Sequence, residues 1–242
     1  MKIMIEGKDF TQQELEEWKK KRVRKVLRNL KKSLSAPDDD LCKRLTDIKM
    51  DMSYEEITSS IHGKLAIGRI GMKIAVVLSG GKRKTARTTL YADGITVEKL
   101  GVIIDALMME GTEEFRRVNL GACPDHYVLR TEGATLEVIE TTGNTPVPTQ
   151  FFITFNDETG LKEPRDGDYP YQSVGIAKLK DGTVIGGVRH QFRNYGNGIE
   201  AKAVVEFPAM CPASIVKEHQ KHLGAEWSSW IQWAIDHQER WT

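Results

Sequence analysis

The sequence has few cysteines and almost no excess charge. Its three cysteines, Cys42, Cys123 and Cys211, are far apart and odd in number. This argues against a disulfide framework and against a zinc site built from paired cysteines, so we expect a reducing compartment. The 35 basic and 34 acidic side chains leave a net charge of only +1. The chain as a whole therefore gives no reason to expect a polyanionic partner.

Long apolar segments are absent as well. No stretch approaches the roughly 18 uninterrupted apolar residues of a membrane span, and the first residues become charged too early for a signal peptide. The sequence SGGKRKT at 79–85 lacks the GxxxxGK[ST] spacing of a phosphate loop, which argues against nucleotide binding. We expect a soluble cytoplasmic protein with no membrane partner.

The first part of the chain has a helical composition. A capping box of Thr11 and Glu14 predicts a helix from Thr11 to about Leu34, and this helix becomes strongly basic after its first turns. No aromatic residue lies among the basic residues 19–32, so we expect no nucleic-acid surface.

Further helical sequence follows a predicted break. The run SAPDDD at 35–40 predicts the break, and a second helical region follows to about Ser60. The apolar stretch from Ile67 to Leu78 predicts a strand and a turn. Together these features define an N-terminal helical appendage, residues 1–80.

Residues 81–242 form the main predicted domain. Helical periodicity occurs at 96–109 and 113–119, and a long closing helix extends from about Pro212 to His237. Strands are expected at 85–91, 134–141, 148–156, 171–180, 184–194 and 200–207. This order is that of the α+β helix-grip (Bet v 1-like) fold, in which a curved antiparallel sheet wraps around the last helix and leaves a cavity between them.

The closing helix carries a polar seam. A 3.6-residue wheel aligns Ile215, His219, His222, Glu226, Trp230 and Trp233. Two imidazoles and a carboxylate are costly to bury, whereas a divalent metal uses the imidazole lone pairs and neutralises the carboxylate. His222 and Glu226 are four residues apart and can bind one ion from a single helical turn. The alternative is an exposed polar stripe, with the helix packing through Trp227 and Leu223.

Further ligand candidates lie near the start of the alternating region. His126 follows a predicted helix end, where the cavity is expected to open. Glu137 and Glu140 differ by three positions, so on a strand they point to opposite faces and at most one faces inward. Cys123 and His219 remain alternative ligands, and His219 is also a candidate for supporting the ligands from behind.

Several of these segments occur in the same order in the family of diacetylphloroglucinol hydrolase and phloretin hydrolase. They are the histidine segment at 124–126, a strand glutamate before a glycine turn at 140–143, FxxxFxD at 151–157, a strand with His190 and Arg193, and HxxxE at 222–226. Over about residues 85–236 the chain resembles that family.

The resemblance implies a zinc-dependent hydrolase that cleaves the carbon–carbon bond between an aromatic or polyketide-like ring and an acyl group. It implies a metal ligand set of two histidines and two glutamates, which correspond to His126, Glu140, His222 and Glu226. Glu140 is favoured over Glu137 because the family ligand directly precedes the glycine turn. Another divalent metal is an alternative to zinc, and we expect no further cofactor.

The implied chemistry needs a proton at the departing ring carbon. An imidazole with a pKa near neutrality suits that transfer, and His190 is the candidate. The alternative for His190 is an ion pair with Glu200 or Glu206 on the adjacent strand.

Two positions depart from the family pattern. Val118 and Leu129 stand where the family has a tyrosine and an asparagine that hold phenolic oxygens, so a phenolic substrate does not follow. A rival function is a non-catalytic carrier of a hydrophobic small molecule, because helix-grip domains enclose apolar cavities. A homodimer is a further option for the assembly.

Overall fold

The computed structural model describes residues 1–33 and 41–241, and the break predicted at 35–40 lies outside these ranges. The helices are α1 (Gln12–Asn29), α2 (Leu41–Asp51), α3 (Tyr54–Ser79), α4 (Val97–Met109), α5 (Glu113–Ala122) and α6 (Ala213–His237). The strands are β1 (Lys2–Ile5), β2 (Lys8–Asp9), β3 (Arg83–Asp93), β4 (His126–Glu132), β5 (Thr135–Glu140), β6 (Thr149–Phe155), β7 (Tyr171–Lys178), β8 (Val184–Tyr195) and β9 (Gly198–Pro208).

These strands form one antiparallel sheet in the order β2-β1-β3-β9-β8-β7-β6-β5-β4. Neighbours from β4 to β9 are also consecutive in the chain, so antiparallel pairing needs no crossover between them. The long helix α6 packs against β3 and α5, and a cavity remains between α6 and the sheet. The predicted α+β helix-grip fold with its closing helix is therefore confirmed.

The N-terminal segment contributes helices and also two strands that were not expected. Helix α1 begins with the predicted capping box, in which Thr11 and Glu14 satisfy each other's backbone N–H groups. Strand β1 pairs with β3 and extends the main sheet. Ile3, Leu15 and Trp18 belong to the same hydrophobic core as the residues of α6.

The prediction of a strand between Ile67 and Leu78 is wrong, because these residues form the second half of α3. Ser53 and Glu56 form a capping box at the start of this helix, and Gly80 ends it in the left-handed conformation. Arg69 and Lys73 interrupt the apolar stretch four residues apart, which is helical spacing, and the caps at Ser53 and Gly80 mark one helix over the whole length.

No helix in residues 1–33 or 41–241 is both long enough and apolar enough to cross a membrane.

Candidate metal centre

Helix α6 carries the predicted ligand pair on a buried face. His222 is 0% exposed and Glu226 is 8% exposed. The alternative of an exposed polar stripe is therefore wrong. Leu223, Trp227 and Trp230 are buried around the pair, so these polar groups lie in largely apolar surroundings where they need partners.

The β4–β5 hairpin brings the other predicted ligands to this helix. His126 and Glu140 are direct cross-strand partners, and a bulge at Tyr127 shifts the register between His126 and Val128. Strict alternation would place His126 on the same face as Val128. Val128 packs against helices α1 to α3 and does not line the cavity. The extra residue reverses the parity, so His126 and Leu129 both line the cavity.

A glycine turn fixes the end of this hairpin against α6. Gly143 has a positive φ of +56°, and a Cβ atom there would lie only 2.3 Å from the carbonyl oxygen of Ile215. Glycine is therefore required both for the backbone conformation and for the close approach to the first turn of α6. The turn begins directly after Glu140, whose Oε1 accepts a hydrogen bond from the Thr142 hydroxyl at 3.3 Å.

The side chains of the four predicted ligands converge on one point. The Nε2 atoms of His126 and His222 are 3.1 Å apart. The Oε2 atom of Glu226 lies 3.2 Å from the first nitrogen and 3.4 Å from the second. The Oε2 atom of Glu140 lies 4.0 Å and 3.5 Å from the same two nitrogens.

These separations fit a metal ligand set. Nitrogen and oxygen ligands about 2 Å from a tetrahedral ion lie roughly 3.3 Å from one another. The five separations between 3.1 and 4.0 Å bracket that value. Two imidazoles and two carboxylates are also a donor set that zinc accepts, and their charges balance a divalent cation.

The site is electrostatically demanding without a cation. Burial raises the pKa of Glu140, and the neighbouring imidazoles only partly oppose that effect. Burial also tends to raise the pKa of Glu226, but contacts with His126 and His222 outweigh it and the net shift is downward. Burial lowers the pKa of His222 less than Cys123 and Glu140 raise it, so this pKa lies well above its usual value.

A hydrogen bond fixes the orientation of the first histidine. The Nδ1 atom of His126 lies 2.7 Å from the backbone carbonyl oxygen of Asn119 and donates its proton there. The lone pair of Nε2 is then free for the ligand cluster, which is the arrangement usual for metal-binding histidines. The Nδ1 atom of His222 has no hydrogen-bond partner in the described part of the chain.

Glu137, the competing strand glutamate, lies on the opposite face of β5. Its carboxylate accepts hydrogen bonds from Tyr54 at 2.8 Å, Gln150 at 2.6 Å and Arg130 at 2.7 Å. Glu140 is the inward-facing member of the two, since it lines the cavity.

The two alternative ligands also lie beside the cluster. Ligand atoms of Cys123, His126 and His222 lie within 4.8 Å of one another, as do those of Glu140, His219 and His222. The His219 ring stacks on the His222 ring with 4.7 Å between centroids. Both residues therefore remain candidates for contact with a metal or its ligands.

His190 lies in the cavity wall, buried against the Trp227 ring. Burial lowers the pKa of His190 to about 4, so the imidazole is neutral at pH 7. The pKa near neutrality that was expected for proton transfer is therefore not found. Its Nδ1 accepts the backbone N–H of Val204 at 3.2 Å, which places the proton on Nε2. Glu200 and Glu206 bind other donors, so neither forms the alternative ion pair with His190.

An apolar cavity adjoins the cluster. Its empty volume is about 950 Å³, open solvent at its mouth included. Its polar lining includes Glu140, Glu226, His126, His190 and His219, and most of its lining is aliphatic and aromatic. A hydrophobic molecule held there would lie against the polar cluster.

Apolar side chains occupy the two positions that depart from the family pattern. Leu129 lines the cavity, and Val118 packs against the main core. Neither side chain offers a hydrogen bond to a phenolic oxygen.

Three buried charges near the cluster were not identified from the sequence. Arg22 of α1 forms an ion pair with Asp125, the residue before His126. Lys49 of α2 donates to the carbonyl oxygens of Leu120, Pro124 and His126 at 3.2, 3.1 and 2.6 Å. Asp125 could have been noticed in the sequence from its place between Pro124 and His126. Arg22 and Lys49 gave no such signal, because they lie in helices with many charged residues.

Comparison with known proteins adds little to this description. No protein-family model matches the chain, and no curated protein matches it. Among solved structures, the crystal structure of Ara h 8.0201 is similar at 10% identity and a TM-score of 0.41, covering 64% of this chain and all of that one. Protein Ms6760 from Mycobacterium smegmatis is similar at 12% identity and a TM-score of 0.31, covering 64% of this chain and 88% of that one.

Proposed function

We propose that the protein is a metal-dependent hydrolase that cleaves the carbon–carbon bond between an aromatic or polyketide-like ring and an acyl group. The metal, zinc or another divalent ion, is held by His126, Glu140, His222 and Glu226. The observation that carries the proposal is the convergence of these four buried side chains at an apolar cavity. The resemblance to the diacetylphloroglucinol and phloretin hydrolases supplies the reaction class.

The cavity walls suit the substrate. Leu136, Val138 and Ile153 line the same cavity as the cluster and would remove the apolar part of an acylated ring from water. The same cavity is lined by His126, Glu140 and Glu226, so an acyl carbonyl of a molecule bound there can reach the cluster. A divalent ion bound there would polarise a carbonyl oxygen and activate a water molecule.

The reaction adds water across the ring–acyl bond. The acyl carbon becomes a carboxylic acid, and the ring carbon gains a hydrogen atom. Because His190 is neutral with its proton on Nε2, it is suited to donate a hydrogen bond to a substrate oxygen. A neutral imidazole can give up its Nε2 proton only if Nδ1 takes up another proton. The N–H of Val204 occupies Nδ1 and so opposes a full proton transfer from Nε2. We therefore assign His190 a hydrogen-bonding role in the reaction.

A direct assay tests the proposed activity. Zinc-loaded protein is incubated with monoacetylphloroglucinol, phloretin and a non-phenolic aryl ketone, and release of the carboxylic acid is followed by chromatography. Because the ring carbon leaves with the bonding electron pair, and ring hydroxyls stabilise that pair through their keto tautomers, we expect acid release from the two phenolic ketones and none from the non-phenolic one. Loss of turnover in Glu226→Gln, with the fold retained by circular dichroism, completes the expected result. Absence of acid release from acyl-aromatic ketones as a class would contradict the proposal.

A carrier function is the second candidate, favoured by the apolar lining of the cavity. A carrier binds the same ketones without consuming them, and its affinity does not depend on the metal ligands. Ligand binding is therefore measured by calorimetry on wild type and Glu226→Gln, alongside the acid-release assay. Equal binding by both proteins without acid release would favour the carrier.

A further inference from the structure

A buried ion pair joins the N-terminal helix α1 to the cluster. The Arg22 guanidinium donates from Nε to Asp125 Oδ2 at 2.7 Å and from a terminal nitrogen to Oδ1 at 2.9 Å. The side chains are only 5% and 0% exposed. A third donor atom of Arg22 reaches the Asn144 side-chain oxygen at 3.1 Å, in the turn that follows Glu140.

Such a pair is costly as a purely structural device. Taking both charges out of water offsets much of their attraction, and apolar side chains of similar volume often stabilise a fold as well or better. The geometry nevertheless uses the full bidentate fork of Arg22, which holds the Asp125 carboxylate in one orientation. The position in which Arg22 holds the Asp125 carboxylate therefore indicates what the ion pair does.

The Asp125 carboxylate lies behind His222. Its Oδ2 atom is 3.9 Å from His222 Nδ1, the ring nitrogen directed away from the ligand cluster. That nitrogen is fully buried and has no hydrogen-bond partner within the described ranges. Metal-bound histidines usually donate this second N–H to a carboxylate or a carbonyl oxygen, as His126 does to Asn119.

We propose, building on the metal site of the proposed function, that Asp125 and Arg22 are positioning residues for His222. Asp125 accepts the Nδ1–H of His222 in the metal-bound protein, and Arg22 holds Asp125 in place for that contact. The basic helix α1 is thereby part of the metal site through one buried residue.

Cys123 is the competing partner. Its thiol lies close to His222 and raises the pKa of that ring, although it makes no hydrogen bond of ordinary geometry with Nδ1. Substituting Cys123 by Ser and Asp125 by Asn separates the two, because only one of them should weaken metal binding.

The test compares zinc affinity among single variants by chelator competition. Arg22→Met is matched with Arg28→Met, which removes the same charge from an exposed position of the same helix. We expect Arg22→Met and Asp125→Asn to weaken zinc binding about ten-fold or more, the usual scale for residues that orient a ligand. Arg28→Met should bind zinc like wild type, and Arg22→Lys should recover part of the loss. A loss in Cys123→Ser without one in Asp125→Asn would assign the contact to Cys123 and contradict the inference.

Two readouts separate positioning from a general loss of structure. In the zinc-bound wild type, NMR should detect a slowly exchanging Nδ1–H of His222, and Asp125→Ala should lose it. The double variant Arg22→Met/Asp125→Asn should bind zinc no more weakly than Asp125→Asn alone, because the arginine acts through the aspartate.

Several results overturn the inference. Wild-type affinity in both Arg22→Met and Asp125→Asn contradicts it while leaving the proposed metal site intact. Additive losses in the double variant, or a persistent Nδ1–H in Asp125→Ala, contradict the relay through Asp125. A wild-type protein that binds no zinc overturns the proposed function and this inference together.

Discussion

His126 and Glu140 are cross-strand partners on the β4–β5 hairpin, and a single-residue bulge at Tyr127 makes both face the cavity. The bulge determines which strand residues can contribute to the cluster on α6. Glu137, three residues before Glu140, is directed to the other face and is held there by three hydrogen-bond donors. The site therefore depends on strand register as much as on residue type.

The two strand glutamates give a paired prediction. Glu140→Gln should weaken zinc affinity about ten-fold or more, because it removes a charged ligand. Glu137→Gln is the matched control, and it should lower stability through its buried contacts while leaving zinc affinity unchanged. Chelator competition and urea unfolding of both variants measure the two effects. A loss of zinc affinity in Glu137→Gln alone would require the opposite register.

The second prediction concerns the pH dependence of stability. His190 has a pKa of about 4 in the folded protein and an ordinary value of 6.5. The unfolded chain therefore binds the proton more readily between these values, and His190 contributes stability above pH 6.5 that is lost as the pH falls toward 4. The total loss, complete only well below pH 4, is on the order of 3 kcal/mol.

Urea unfolding of metal-free wild type and His190→Phe at pH 7 and pH 5 measures this effect. From pH 7 to pH 5 the free energy of unfolding of the wild type should fall more than that of His190→Phe, since only the wild type buries a titratable ring there. The same difference at both pH values would mean that His190 titrates normally in the fold.

The third prediction concerns Lys49, whose three hydrogen bonds hold the segment that leads to His126. Lys49→Met should lower the free energy of unfolding by about 2–4 kcal/mol, because it removes the donor of three buried hydrogen bonds. Lys43→Met, at an exposed position of the same helix, should change it by less than about 0.5 kcal/mol. Equal stability of the two variants would show that other donors replace Lys49.

The fourth prediction concerns the assembly. Ile67, Ile70, Ile74, Val77 and Leu78 form an apolar stripe along α3, and each is more than half exposed. Antiparallel pairing with a second copy places Ile67 opposite Ile74, with Ile70 next to the centre, and removes these apolar side chains from water. We therefore expect a homodimer through α3.

Sedimentation velocity tests this assembly. Ile70→Glu should convert the dimer to a monomer, because a charge at the centre of the interface appears twice. Val102→Glu, at an exposed apolar position of α4, should leave the dimer intact. A wild type that sediments as a monomer at high protein concentration would contradict the expectation.

Much of the fold could be predicted because its patterns are local. The heptad-like apolar positions of α4 and α6 and the alternation in β5 to β9 are periodic over whole elements, and the turns between them have typical residues. The buried seam of α6 followed from the same periodicity. The second half of α3 was mistaken for a strand because the capping box that begins this helix, at Ser53 and Glu56, lies well before the apolar stretch.

The parts that could not be predicted depend on tertiary contacts. The bulge at Tyr127 adds one residue without a sequence signal, yet it decides the orientation of His126. Arg22 and Lys49 resemble the surface lysines and arginines around them, and only the packing of α1 and α2 against the segment before β4 reveals their burial. The low pKa of His190 likewise results from its burial in the folded protein.

Metal content of the purified protein tests the central claim most directly. Wild type isolated without chelator and analysed by elemental mass spectrometry should contain about one zinc or similar divalent ion per chain, as four buried ligands predict. His222→Ala, with its secondary structure retained, should contain almost none. Less than about a tenth of an equivalent in the wild type, with none recovered on adding zinc, would contradict the account.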